Sequence, residues 1–174
     1  MGEAAGKAVD LKAREITVER LSATSSKAFS EVVKALEASL GRPDLGAMVR
    51  EIAAARSEAE LERIVNQATG ASGLMIFMRL DLGEVLRKEL GASAPKSYRY
   101  LIGNPVTMKR MAKHVPDAGS YAPVTILVDE RPDGVHLTYD RMACFLSPYR
   151  NAEAMKVARE LDAKVEALLK TAAA

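Results

Sequence analysis

The stretch Tyr98-Arg99-Tyr100-Leu101-Ile102-Gly103-Asn104-Pro105, together with the segment running on to Arg141, decides the fold. Its first five residues read as a strand. Gly103-Asn104-Pro105 then interrupts the strand and opens the basic, Met-containing segment Val106–His114, which reads as a short helix: Asn suits the N-cap and Pro the first helical position. Two alternating runs, Val124–Asp129 and Val135–Asp140, flank the turn Arg131-Pro132-Asp133-Gly134. Alternation on both sides of a Pro-Asp-Gly turn predicts a β-hairpin. Strand, short helix and hairpin in one block point to a sheet with antiparallel pairing.

Upstream, Ile16 and Val18 alternate with Thr17 and Glu19, which predicts a first strand over Glu15–Leu21. Thr24, Ser25 or Ser26 would cap a helix bearing Phe29, Val32, Val33, Leu36 and Leu40 at helical spacing, with Gly41 and Pro43 closing it. Residues 44–69 read as two helices parting near Arg56, with Ser57 and Glu60 forming a capping box for the second. Leu74–Asp81 has no polar face in its first half and predicts a central strand covered on both sides. Glu84–Leu90 reads as a short helix. The stripe Ala154, Val157, Ala158, Leu161, Val165 and Leu168 marks a long final helix capped by Asn151. Only two strands are linked by a hairpin, and long helices occur near the two ends. The expected class is therefore α+β: an antiparallel or mixed sheet with helices packed on one face. The expected organisation is a flexible tail at 1–13 and a single domain over 14–174, with a helical insertion at about 42–72.

Composition narrows the function classes. A chain of 174 residues with 48% hydrophobic and 28% charged side chains builds an ordinary globular core. Net charge is +2, aromatic content is 5% and Trp is absent, so neither a strong field nor stacking platforms favour nucleic acid. One cysteine, Cys144, and two histidines, His114 and His136, argue against an intrachain disulfide or a metal centre. The start of the chain lacks the apolar segment of a secretory signal, and the apolar run Leu74–Met78 is too short to span a bilayer. The expectation is a cytoplasmic protein with no membrane partner, no nucleic-acid partner and no metal.

Leu101-Ile102-Gly103-Asn104-Pro105, then Ala122-Pro123-Val124-Thr125-Ile126-Leu127-Val128, then Gly134-Val135-His136-Leu137-Thr138-Tyr139 resemble, in order and spacing, the domain-of-unknown-function-302 family. The Phe77–Asp81 strand end fits the same pattern, and the resemblance covers roughly residues 14–170. It implies a compact fold like the TATA-binding-protein arrangement, β-α-β(4)-α, often in homodimers, and no established activity. Many members carry Asp-His after the second strand, where this chain has Asp81-Leu82. A family site built on that imidazole would lack it here.

The candidate chemistry has a structural and a functional reading at each position. Asn104 either caps its helix or leaves backbone N–H groups free for an anion. Arg79 and Asp81 share one strand face, and either pair together or meet a ligand. Tyr98, Tyr100 and Tyr139 either line a pocket or pack at sheet edges. Cys144 between Ala143 and Phe145 is either a buried thiol or, with a lowered pKa, a nucleophile. Met108 either adapts to a ligand or fills the core. The leading reading is a homodimer that binds a small, partly apolar, acidic molecule in a cleft at the sheet end. Its contacts would be Arg79, Tyr98, Tyr100, Asn104, Met108, Tyr139 and Arg141. The alternatives are an enzyme using Asp81 or Cys144 with Tyr139, and an assembly role for the inserted helices. The sequence names no cofactor.

Overall fold

The structure, a computed structural model, describes residues 10–174. The tail expected at 1–13 therefore lies largely outside the described residues, and 10–19 contain neither helix nor strand. The first strand, β1 (Arg20–Ser25), starts five residues later than the alternation at Ile16 and Val18 indicates. Its ladder sets the start: Arg20 pairs with Asp140, the last strand residue before its partner turns away. The inward side chains of β1, at Leu21, Ala23 and Ser25, are mostly small or polar, so this strand carries a weaker sequence pattern than the coil before it.

Helix α1 (Phe29–Ala38) buries Phe29, Val32, Val33 and Leu36. None of the three expected caps is used. Glu31 instead reaches back to accept the Ala28 N–H at 3.1 Å, while Ser25 Oγ accepts from the Lys27 N–H at 3.3 Å. The two helices expected over residues 44–69 are present as α2 (Leu45–Ala54) and α3 (Glu58–Ala68), with Ser57 Oγ accepting the Glu60 N–H. At their base, Gly41 runs so close to the end of α3 that a Cβ there would lie 2.0 Å from the Ala68 carbonyl oxygen.

Strand β2 (Met75–Asp81) leads into α4 (Leu82–Leu90), then β3 (Ser97–Gly103), α5 (Pro105–Ala112), the short α6 (Ala118–Tyr121), and the hairpin β4 (Val124–Arg131) and β5 (Gly134–Asp140). Gly134 takes φ +139° to close the hairpin and lies too near the Ser25 carbonyl for any side chain. The short α7 (Met142–Leu146) and the 22-residue α8 (Ala152–Ala173) complete the chain.

The sheet order is β1-β5-β4-β3-β2, and all four pairings are antiparallel. The α+β class with a five-stranded antiparallel sheet holds. One face carries Tyr100, Ile102, Ile126, Val128, Leu137 and Tyr139, all at most 1% exposed, beneath α1 and α8. The expectation that β2 is a central strand fails: it lies at the sheet edge, and Met78, Arg79, Leu80 and Asp81 are exposed. Its apolar run divides in two. Met75 and Phe77 join Met48, Ile64 and Val65 in a second, smaller core under α2 and α3, while Met78 and Leu80 stay exposed.

Candidate functional site

The candidate residues fall into three neighbourhoods. The first joins Arg79, Tyr98 and Tyr100 on the helix side of β2 and β3. Its organiser is Glu37, near the end of α1. Glu37 Oε1 accepts from the Tyr100 hydroxyl at 2.8 Å and from Arg79 Nη1 at 3.2 Å, and its other oxygen is bonded to Arg42. Arg79 also lies over the Tyr98 ring, with Cζ 4.9 Å from the centroid, and Tyr98 meets Phe29 edge to face at 5.0 Å. Burial, reinforced by the Glu37 carboxylate, pushes the Tyr100 hydroxyl well above the ordinary phenol range.

Beside this cluster runs an open groove of about 650 Å³ between α1 and the sheet edge. Phe29, Val33 and Tyr98 form its apolar wall. Lys34, Arg42, Arg79 and Lys96 supply four cations, against Glu37 as the one carboxylate in the lining. Lys96 also meets Glu130 at 3.1 Å, outside the groove lining.

The expected Arg79–Asp81 pair does not form. Asp81 Oδ1 accepts the Glu84 N–H at 2.8 Å as the N-cap of α4, and Oδ2 accepts from Arg87 at 3.3 Å. The strand ends at Asp81, so its carboxylate turns to the free amides of the next helix. Arg79 reaches instead to a helix distant in sequence.

The second neighbourhood holds Asn104 and Met108. Asn104 Oδ1 accepts from the Val106 and Thr107 N–H groups at 2.8 and 3.1 Å, and Nδ2 donates to the Gly73 carbonyl. The cap consumes the donors that an anion would need, so the structural reading of Gly-Asn-Pro prevails. Gly103 ends the strand without a positive φ. Both residues line a separate apolar cavity of about 160 Å³.

The third neighbourhood joins Tyr139 and Arg141 to α8. Asp162, 2% exposed, accepts from the Tyr139 hydroxyl at 2.6 Å, from the Met142 N–H at 2.8 Å and, through its other oxygen, from the Ala143 N–H at 3.1 Å. Burial, then the Asp162 charge, holds the Tyr139 hydroxyl far above its usual range. Arg141 meets Glu166 and Glu19, each at 2.8 Å. Cys144 Sγ accepts the Glu19 N–H at 3.4 Å, and the thiol is partly exposed.

Asp81 and Cys144 belong to opposite edges of the sheet. Four strand spacings of about 4.8 Å put β1, beside Cys144, roughly 19 Å from β2. The two candidate catalytic residues therefore do not share a site, and Tyr139 is three strands away from Asp81.

Glu37, Lys34, Arg42, Lys96 and Asp162 escaped the sequence reading. Asp162 had a signal: it falls on the apolar stripe of α8 between Ala158 and Val165, where a carboxylate needs partners. Glu37 lies one turn after Val33 and had the same, fainter signal. The strongly exposed large apolar residues are also informative. Among the described residues, Met78, Leu80, Val85, Leu86 and Leu90 fall on β2 and α4, whereas Val49 is the one such residue on α2 and α3. Among the described residues, no helix is long and apolar enough to cross a membrane.

A solved structure, the crystal structure of an uncharacterised conserved DUF302 protein from Bacillus stearothermophilus, is similar to this fold with a TM-score of 0.61. The likeness covers 88% of this chain and 97% of that one at 10% identity, which speaks to fold alone. No curated protein matches the chain. The model of the family described as domain of unknown function DUF302 matches residues 50–172, well over half of the sequence, and the chain belongs to that family.

Proposed function

We propose that this protein binds a small, partly apolar, anionic molecule in the groove between α1 and the β2–β3 edge. The observation that carries the reading is the charge balance of that groove: four cations line it, and its one carboxylate is already bonded to Tyr100, Arg79 and Arg42. A carboxylate or phosphate entering there meets a positive field without displacing an existing acid. Phe29, Val33 and Tyr98 offer the apolar body a wall, and 650 Å³ falls within the usual range for small-molecule sites.

Thermal-shift and calorimetric titration with aromatic and aliphatic carboxylates and phosphates, at low and high salt, tests this. The expected result is a rise in melting temperature that shrinks with salt and is weakened about tenfold in Lys34→Gln/Lys96→Gln. That variant leaves the Glu37 cluster intact. Unchanged affinity in it, or no response to any anion, would remove the proposal.

A second reading concerns partners. We infer pairing with a second copy through Met78, Leu80, Val85, Leu86 and Leu90, an exposed apolar cluster at an edge strand. Sedimentation equilibrium should give a dimer that Leu80→Glu/Leu86→Glu converts to monomer; a monomeric parent protein would end this reading. The TATA-binding-protein-like arrangement and the cytoplasmic location belong to the same proposal. They draw support from the order β1, α1, four strands, α8 and from one unpaired cysteine.

A further inference from the structure

We propose that the cavity at the Gly103-Asn104-Pro105 corner is a second binding site, for an uncharged apolar molecule about the size of a single aromatic ring. The cavity holds about 160 Å³ and is walled by Phe77, Met108, Met111, Pro123, Val124 and Leu161. Three of these, Met111, Val124 and Leu161, are core residues at most 5% exposed, so the back of the cavity is the protein interior. Phe77 and Met108 are only partly buried and form its mouth.

The polar groups in the wall are Asn104 and Thr107, and the first has little left to offer. Both lone-pair directions of Asn104 Oδ1 are taken by the Val106 and Thr107 amides, and Nδ2 already donates to Gly73. The Thr107 amide is consumed by the same cap. The Thr107 hydroxyl and the second Asn104 N–H are what remains, the low end of the two to four polar partners that hold a buried water, so water is weakly held and an apolar guest displaces it at small cost. The two thioethers add adaptability, because an unbranched Met side chain changes rotamer to fit a guest and its sulfur packs well on ring edges.

This site is independent of the anionic groove. Tyr98 and Gly103 lie at opposite ends of β3, roughly 17 Å apart at about 3.3 Å per residue. The groove is ringed by cations, whereas no charged side chain lines the corner cavity.

Gly103 supplies the test. A Cβ placed there would lie 3.4 Å from Phe77 and 3.5 Å from Pro123, in ordinary contact with two wall residues. Gly103→Ala therefore narrows the cavity without a clash. Thr107→Leu, at the partly exposed rim, narrows it by a second route should the first variant fold poorly.

Benzene and toluene are the probes, read by the methyl resonances of the methionines and by thermal shift. The expected result is that both probes move the Met108 and Met111 methyl signals and raise the melting temperature. The narrowed variants should lose both responses, and Lys34→Gln/Lys96→Gln should keep them. Unmoved methionine signals in the parent protein would overturn the proposal, as would equal responses in the narrowed variants. Loss of the response in the lysine variant would overturn it too, because the probes would then be reporting on the groove.

Discussion

The Tyr100 hydroxyl donates to Glu37 Oε1 at 2.8 Å, joining the middle of β3 to α1 across 63 positions of sequence. Tyr100 is wholly buried, and Glu37 also holds Arg79 and Arg42. One carboxylate thus fixes the helix, the edge strand and two of the cations of the proposed anion groove.

Tyr100→Phe keeps the ring and removes this one donor. Because Glu37 retains both arginines, the loss of stability should be near the lower end for hydrogen bonds to charged groups, about 1.5 kcal/mol. Urea denaturation at pH 7 measures it. An unchanged midpoint would show that the bond contributes nothing net.

Stability should fall in alkali. The folded-state pKa values of Tyr100 and Tyr139 are both raised, by burial first and by Glu37 and Asp162 next. Below the ordinary tyrosine value of about 10, both states carry the proton and the stabilisation is complete. Above it, the unfolded chain ionises while the folded chain does not, so stability drops as pH rises toward the folded values. Each tyrosine contributes a slope of about 1.4 kcal/mol per pH unit. Urea midpoints between pH 8 and 11 should fall less steeply in Tyr100→Phe than in the parent protein.

Asp162→Asn should be the more damaging change. The carboxylate accepts from the Tyr139 hydroxyl and from the amides of Met142 and Ala143, using both oxygens. An amide presents one oxygen and one NH₂, so a donor would face a donor in a site 2% exposed. The expected cost is about 3 kcal/mol, read by chemical denaturation with an unchanged m-value. A loss below about 1 kcal/mol would show that the site relaxes around the amide.

Gly41→Ala tests how α2 and α3 are seated. Gly41 donates its N–H to Leu74 and accepts from Ile76, while a Cβ would meet the Ala68 carbonyl oxygen at 2.0 Å. That contact involves backbone on both sides, so the chain must separate. A loss of at least about 2 kcal/mol is expected. Hydrogen exchange should show faster opening in α2 and α3 than in α8, and uniform protection would contradict this seating.

Sequence alone determined the elements whose signals are local. The β4–β5 hairpin was legible because Pro132, Asp133 and Gly134 demand a turn between alternating runs. The Asn104 cap, the break near Arg56 and the apolar stripe of α8 were legible for the same reason: caps, turns and 3.6-residue periodicity arise among near neighbours. The α+β class followed from their order. The position of β1 and the edge location of β2 did not follow, since a strand's partner and coverage are set by other strands.

The candidate site divided on the same line. Sequence picked out Arg79, Tyr98 and Tyr100, but the partner that Arg79 and Tyr100 share is Glu37, on a helix 42 residues before Arg79. It grouped Asn104, Met108, Tyr139 and Arg141 with them, and the fold distributes these among other neighbourhoods. Residue types and spacing determine what a side chain is able to bond. Which groups come within 3 Å depends on sheet order and helix docking, where buried carboxylates such as Asp162 find partners far away in the chain.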